Sequence, residues 1–454
     1  MKQYDLIVIG GGPGGYPGAA AAAAKGWKVA LVEARDLGGT CLNRGCIPTK
    51  TLLHTTELYR DVQGELALGT MEGAVNVNPA ALFAQKVAVT EKLRAGVADL
   101  MKRNKVDVLC GHGKVLAPGK VEVTSAEGSE VYETERILLA AGSVPARIPV
   151  PGSDLPGVIT SDELLDGEAN VPARLVIIGG GVIGVEIASV YAALGTEVTI
   201  LEMLPKILPN MDKEISQNLT QILKKRGIAV KTGAALKEIT RGEGGLICHY
   251  MVKEKPEEVA ADLVLMATGR RANLAGLCAE DLGLEVNRGI VVNDRFETNV
   301  PGIWAIGDAI SGSIQLAHAA TAQAQAAVAY MAGETPKIHL DLVPACIYTS
   351  PEIAAVGLTE EQAKEAGFAA KAKKALLHGN AKTIITHQER SFIKVVYDEE
   401  THVVLGAQLM AARASDMIDE YAVAIAQKLT MEQMASLIRP HPTFCEAADD
   451  AFTL

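Results

Sequence analysis

One pattern occurs twice in this chain of 454 residues, and it constrains the fold more than any other feature. Residues 6–15 read LIVIGGGPGG and residues 175–184 read LVIIGGGVIG. Each is an apolar, strand-like run followed by Gly-x-Gly-x-x-Gly: Gly10, Gly12 and Gly15 first, then Gly179, Gly181 and Gly184. A small-residue helical stretch follows each, then Gly26 or Gly195, then a second strand-like run, WKVALVE or TEVTILE. Both runs end in an acid, Glu33 or Glu202, each 23 positions after its first glycine. One such glycine motif is weak evidence. Two copies, each inside strand–turn–helix–strand with an acid near the expected distance, indicate two dinucleotide-binding units. The first glycine permits the tight turn, the second lets a pyrophosphate approach the backbone, and the third lets helix and strand pack closely. The diphosphate then meets the free N–H groups and positive end of the helix. Glu33 and Glu202 would accept hydrogen bonds from ribose hydroxyls. A plain strand-to-helix turn is the alternative for the glycines, and a solvated strand end for each acid.

At roughly 150 residues per domain, the length suggests about three domains. Asn78-Pro79 reads as the start of a helix to about Asn104, with Leu82, Val89, Leu93, Val97 and Leu100 on its buried face. Strand-like VDVLCGH, KVEVTSA and ERILLAAGS follow, so a boundary is expected near residue 145. The second unit runs to residue 268, ending in ADLVLMATG. A third piece, to residue 336, carries PGIWAIGDA, another strand entering Gly307-Asp308. The remainder, 337–454, reads as a mixed α and β domain.

Composition excludes several classes. Charged residues are 21% and the hydrophobic set 48%, which rules out a disordered or fibrous chain. Net charge is −11 and no Lys/Arg block reaches five residues, against a nucleic-acid or anionic-membrane surface. The most apolar later stretch, Leu175 to Val185, is broken by glycines and ended by Glu186, short of a membrane helix. Asp5 lies in the stretch where a signal peptide would sit, so a cytoplasmic chain is expected.

The seven cysteines are an odd count, and five are widely isolated, unlike a secreted disulfide framework. Only Cys41 and Cys46 are close, in LGGTCLNRGCIPTK. A zinc site would need two more ligands at similar local spacing, and the sequence offers none, so no metal is expected. Two unrelated buried thiols are a second reading. A redox-active pair is favoured because it lies beside a fold that could bind an electron carrier.

These residues resemble the flavoprotein disulfide reductases, and within them the dihydrolipoamide dehydrogenase branch. The matching motifs occur in order over nearly the whole chain: GGGPGG, GGTCLNRGCIPTK, GGGVIGVE, MATGRRAN, GIWAIGDA, LAHAA, CIYTSPEIAAVGLTE and HPTFCEA. The resemblance implies an α/β fold with two Rossmann-like dinucleotide-binding domains and a C-terminal α+β dimerisation domain. It implies FAD on residues 1–145 and 269–336, NAD on 146–268, and dimerisation through 337–454. Gly142 and Gly269, in the two strand-end motifs, would line the cofactor sites. Cys46 would be the sulfur next to the flavin, and Cys41 the one that exchanges with the substrate thiol. Lys50 would stand beside flavin N5 with Glu186 as its partner, against an ordinary surface ion pair. Asp308 would hold the ribitol, against a plain Gly-Asp turn. The helix starting near Ala317 in LAHAA would face the flavin C2 carbonyl, with ordinary helix packing as the alternative. His441 and Glu446 match the family's base pair, in which the imidazole deprotonates a dithiol and the acid orients it. In the family that base comes from the opposite subunit, so a homodimer is implied. The implied activity is oxidation of protein-bound dihydrolipoyl groups by NAD⁺, the partner being a lipoyl-bearing protein of a 2-oxo acid dehydrogenase or glycine cleavage complex.

Two departures stand out. Pro17 falls about one turn into the first unit's helix, where it removes an N–H. Cys445 adds a thiol beside Glu446 and reads as packing. Among relatives of the same fold, mercuric reductases lack the His-Glu motif and carry further C-terminal cysteines. Glutathione-type reductases place arginines where this chain has Met203 and Pro209, and a tyrosine where it has Val182. A non-catalytic scaffold would need none of Cys41, Cys46, His441 and Glu446.

Overall fold

The structure, a computed structural model, describes residues 3–454. The chain begins with β1 (Gln3–Ile9), α1 (Gly15–Ala24) and β2 (Val29–Glu33), the first of the two repeats. Leu6, Ile7 and Val8 are wholly buried, as an apolar run must be when both faces of a parallel strand are covered. Helices α2 (Gly39–Arg44), α3 (Cys46–Leu68) and α4 (Pro79–Arg103) come next. Then follow β3 (Asp107–Cys110), β4 (His112–Ala117), β5 (Lys120–Ser125), β6 (Gly128–Leu139) and β7 (Ser143–Pro145). The first sheet runs β3-β2-β1-β6-β5-β4, parallel across β3 to β6 and antiparallel beyond.

Asn78 caps α4 by accepting from the Ala81 N–H, as its sequence foretells. The buried face differs from the expected stripe. Leu82 and Val97 are buried, but Leu93 is 42% exposed, and Phe83, Lys86, Thr90 and Met101 complete the inner face. Lys86 is inside because its ammonium donates to the Leu165 and Gly167 carbonyls, a contact no periodicity signals. Pro17 is the third residue of α1, within the first turn, where N–H groups have no intrahelical partner to lose.

The second repeat is built from β8 (Val158–Thr160), α5 (Ser161–Asp166), β9 (Arg174–Ile178), α6 (Val182–Ala193), β10 (Glu197–Glu202), α7 (Lys213–Lys225) and β11 (Ala229–Thr232). An antiparallel flap of β12 (Ala234–Gly242), β13 (Gly245–Val252) and β14 (Lys255–Ala261) precedes β15 (Leu263–Met266). Its parallel sheet has the order β11-β10-β9-β15-β8. Strand β16 (Arg270–Ala272) then pairs with β7, crossing back toward the first unit. Next, β17 (Ile303–Ala305) adds to β6, and the Ala-rich α8 (Ala317–Met331) packs on α1. The contact between these two helices is close because Gly18 and Ala324 face each other: a Cβ on Gly18 would stand 3.4 Å from that of Ala324.

The C-terminal sheet joins β18 (Ala345–Ile347), β19 (Glu352–Gly357), β20 (Ala370–Leu376), β21 (Phe392–Asp398) and β22 (Val404–Ala411) in the antiparallel order β18-β19-β22-β21-β20. The helices around it are α9 (Glu360–Glu365), α10 (Ala381–Ile385), α11 (Ala414–Ala426), α12 (Met431–Ala435) and α13 (Ala448–Phe452). Met417, Ile418, Tyr421 and Ala424 make the inner stripe of α11 at helical spacing. One hydrophobic core takes Leu52 and Phe83 from α3 and α4, Ile177 and Val185 from the second repeat, and Ile347 and Phe392 from the C-terminal sheet. Three units are thus held around one point, and the site lies there. Among the described residues, no helix is long and apolar enough to cross a membrane.

Candidate active site

A cavity of about 1810 Å³ opens at the C-terminal ends of both parallel sheets, where ligands bind in folds of this kind. Its walls include Gly10, Gly12 and Glu33 from the first repeat and Gly179, Gly181 and Glu202 from the second. The glycines divide their work. Gly10 and Gly179 have φ of +106° and +112°, and a Cβ on either would strike a carbonyl of the neighbouring strand end, Ala140 or Ala267. Gly15 and Gly184 lie behind the wall, where a Cβ would meet the carbonyl of Gly10 at 1.7 Å or of Gly179 at 2.1 Å. Gly181 faces open space, with nothing within 4 Å of an added Cβ, and leaves room for a ligand to approach the backbone.

The acids are placed alike. Glu33 accepts hydrogen bonds from the N–H groups of Gly11 at 2.7 Å and Arg35 at 2.7 Å. Glu202 accepts from Gly180 at 2.6 Å and Leu204 at 2.7 Å. Each carboxylate is anchored at both oxygens and keeps a free lone pair on each, as a ribose diol requires.

Helix capping supplies a test of whether the cavity suits dinucleotides. Helices α4, α5, α7, α9, α10 and α12 all carry side-chain N-caps, from Asn78, Thr160, Asp212, Thr359, Asn380 and Thr430. Helices α11 and α13 lack one, and so do α1, α6 and α8, whose starts border the cavity at Gly14, Val182 and Ala317. Their unpartnered N–H groups and positive ends are open to an anionic or acceptor ligand, which fits two dinucleotides. Ala317 is the first residue of α8 and lines the cavity, as do Gly142 and Gly269. Asp308 lies in a short turn on the same wall and accepts from the Ser143 hydroxyl at 2.6 Å.

The cysteine pair lines the same cavity. Cys41 lies in α2 and Cys46 is the first residue of α3, and the two are joined as a disulfide with Cα atoms 4.7 Å apart. The 23-residue α3 has no side-chain cap, so its dipole favours negative charge on the Cys46 sulfur when the bond opens. One turn on, Lys50 donates to Glu186 Oε2 at 2.7 Å, while Glu186 Oε1 accepts the Tyr348 N–H at 2.9 Å. Glu186 is 3% exposed at its side chain, and burying an ion pair costs desolvation, so this contact holds position more than it adds stability. The Lys50 ammonium also sits 4.7 Å from the centre of the Tyr348 ring. Burial pushes the thiols of Cys248 up to about 12 and of Cys278 and Cys346 up to about 11. Cys445 also moves up, chiefly by burial, and packs on the C-terminal core. These remain inert thiols near neutral pH.

His441 and Glu446 are brought together but not into the cavity. His441 Nδ1 and Glu446 Oε2 are 2.6 Å apart, and neither residue lines the cavity that holds Cys41 and Cys46. The imidazole side chain is 72% exposed and Ile438 close before it in sequence is fully exposed. Tyr348 and Arg270 were not foreseen. The Arg270 guanidinium donates to Ser143 at 2.8 Å and Asp162 at 2.9 Å, joining the second repeat to the Asp308 wall. Its place in ATGRRAN was the available signal; the partners come from distant segments.

Over residues 4–324 the chain matches the family described as pyridine nucleotide-disulphide oxidoreductase, and over 343–452 that family's dimerisation domain. The chain belongs to this family. It is 40% identical to dihydrolipoyl dehydrogenase 3 of Pseudomonas putida, over 99% of this chain and 98% of that protein. It is 37% identical to a dihydrolipoyl dehydrogenase of Bacillus subtilis, over 99% and 97%. Among solved structures, a Cu(II) complex of the HOCl-induced flavoprotein disulfide reductase RclA of Escherichia coli superposes with a TM-score of 0.89 at 30% identity, covering 100% of this chain and 99% of that one. LpdA of Mycobacterium tuberculosis superposes with a TM-score of 0.90 at 26% identity, covering 100% and 99%. Within the family, this chain's fold is two dinucleotide units and a C-terminal dimerisation domain.

Proposed function

We propose that this protein is an NAD-dependent dihydrolipoyl dehydrogenase that works as a homodimer on lipoyl groups carried by another protein. The observation that carries the reading is one cavity containing the Cys41–Cys46 disulfide, the Lys50–Glu186 pair and both glycine cradles. In this reading residues 1–145 and 269–336 hold FAD, 146–268 hold NAD, and 337–454 form the dimer contact. Gly10, Gly12, Gly15, Glu33, Gly142, Asp308 and Ala317 would hold FAD, and Gly179, Gly181, Gly184, Glu202 and Gly269 would hold NAD.

The chain's own groups account for the thiol chemistry. His441, its Nδ1 proton held by Glu446, takes a proton on Nε2 from one substrate thiol. The thiolate attacks Cys41 Sγ, the Cys41–Cys46 bond breaks, and its electron pair remains on Cys46 Sγ at the start of α3. The second substrate thiol then displaces Cys41, forming the cyclic disulfide of the product and leaving two reduced cysteines. Lys50 holds positive charge one turn from Cys46. When bound, FAD and NAD⁺ supply the two-electron relay that restores the disulfide. The exposure of His441 outside its own chain's cavity supports its use by the partner subunit, and the partner carrier would be an acyltransferase core or glycine cleavage protein in the cytoplasm.

The purified protein should show a flavin absorption spectrum and reduce NAD⁺ with dihydrolipoamide. Cys41→Ser should leave a Cys46 thiolate and a long-wavelength band that is lost in acid, and Cys46→Ser should lack it. The same band in both variants, or in neither, would show that the two sulfurs have been assigned wrongly. No turnover with dihydrolipoamide would sink the substrate.

A further inference from the structure

The carboxylate of Glu446 has a second side-chain partner that the thiol chemistry above does not use. Asn380 lies just before α10, and its amide has a different task at each end. Oδ1 accepts from the N–H of Thr383 at 2.9 Å and from its hydroxyl at 3.0 Å, which caps α10. Nδ2 donates to Glu446 Oε1 at 3.1 Å and to the Thr443 carbonyl at 2.9 Å. An N–H only donates and a carbonyl only accepts, so just one orientation of the amide satisfies both ends.

The other holds on the dyad are few. Glu446 Oε1 has a longer contact from the Thr443 N–H at 3.4 Å, and Oε2 serves His441. The terminal torsion of a glutamate is a broad rotor, so a carboxylate fixed only by a mobile imidazole can swing with it. With its side chain 72% exposed, His441 takes its orientation from Glu446. A donor on Oε1 stops that swing and leaves Oε2 facing Nδ1. The donor is neutral, so Glu446 keeps the full negative charge that stabilises the imidazolium formed during thiol deprotonation.

We propose that Asn380 is a positioning residue for the His441–Glu446 pair, fixing the carboxylate so that His441 carries its proton on Nδ1 and presents Nε2 to the substrate thiol. The inference rests on the dithiol-oxidising reading above and adds a residue that acts through Glu446. It also predicts that this part of the base is assembled within one C-terminal domain, since Asn380, Thr443 and Glu446 all belong to it.

Two substitutions separate positioning from capping, because serine and aspartate both cap helices well. Asn380→Ser keeps an acceptor for Thr383 but is too short to reach Glu446. Asn380→Asp keeps the cap and sets a second carboxylate against Oε1. In the holoenzyme, Asn380→Ser should lower kcat with dihydrolipoamide about tenfold, the factor equivalent to 1.4 kcal/mol. Asn380→Asp should lower it further, and KM should stay within about twofold in both. In a Glu446→Ala background, adding Asn380→Ser should change kcat by less than about twofold, because the contact it removes is already gone. Imidazole ¹⁵N spectra, with His441 assigned by its loss in His441→Gln, should show the Nδ1–H tautomer in the wild type and admixture of Nε2–H in Asn380→Ser. An unchanged kcat and tautomer in Asn380→Ser overturns the proposal. So does an equal loss with and without Glu446, which would mark a purely structural role. A wild-type enzyme inactive with dihydrolipoamide would overturn the substrate reading alone, and the tautomer shift would still support Asn380 as the positioning residue.

Discussion

The two glycine repeats hold their acids by the same pair of backbone hydrogen bonds, yet lead into different chemistry. After Glu33 the chain turns into α2 and α3, which carry the disulfide and Lys50. After Glu202 it runs through Met203, 68% exposed, and Leu204, 40% exposed, with no reactive group nearby. Burial differs too: Glu202 is 8% exposed, whereas Glu33 is only partly buried. On the proposed reading the cradle is a general device for a diphosphate and a ribose. What the loop after the second strand carries decides whether a repeat also brings reactive sulfurs to its nucleotide.

The largest effect expected from separating the two functions is at His441. His441→Gln should cut dihydrolipoamide turnover on the order of 10²–10⁴-fold, the usual range for losing a general base. Oxidation of NADH by an artificial one-electron acceptor does not use the disulfide and should persist within a few-fold. A mixed dimer of one His441→Gln and one Cys41→Ser subunit locates the base. If the histidine serves the opposite chain, one site carries both lesions and about half the activity survives. Near-complete loss would place the histidine in cis and remove the need for the dimer.

A second comparison is between the acids themselves. Glu202→Ala should raise KM for NADH about tenfold and leave bound flavin at wild-type content, while Glu33→Ala should lower flavin retention. With Glu202 present and no arginine at 203 or 209, NADH should be preferred over NADPH by at least about tenfold, roughly 1.4 kcal/mol. Equal kcat/KM for the two nucleotides would break the assignment of Glu202. Reversed effects of the two alanine substitutions would exchange the roles of the repeats.

The smallest effect should come from a helix start away from the cofactor cradles. Thr359 caps α9 in a reciprocal box with Gln362, so Thr359→Ala should cost about 1 kcal/mol in a denaturant titration and leave both nucleotide affinities unchanged. A shift in nucleotide KM as large as that of Glu202→Ala would mean that this cap is coupled to nucleotide binding.

Much of this protein was legible in its linear order because its informative features are local. A Gly-x-Gly-x-x-Gly turn, an acid at the end of the next strand, and two cysteines flanking a turn each owe their geometry to a few neighbouring residues. The N-cap at Asn78 is read correctly for the same reason. The inner face of α4 was not, because an exposed Leu93 and a buried Lys86 depend on what packs against the helix. Glu186 could be paired with Lys50 only through a family resemblance, since 136 positions separate them. Asn380, 66 positions from Glu446, had no local signal beyond its suitability as a cap.

Taken alone, the sequence determined the two dinucleotide units and the close spacing of Cys41 and Cys46, for each is set by short-range backbone geometry, while the pairing of His441 with Glu446 came from the family resemblance. Tertiary structure alone decided that Glu186 links Lys50 to the Tyr348 backbone, that Arg270 ties Ser143 to Asp162, and that Asn380 grips Glu446. It also left His441 exposed and outside the lining of its own chain's cavity. Those contacts join side chains from separate sheets around one shared core, and only the packing of that core brings them within hydrogen-bonding distance.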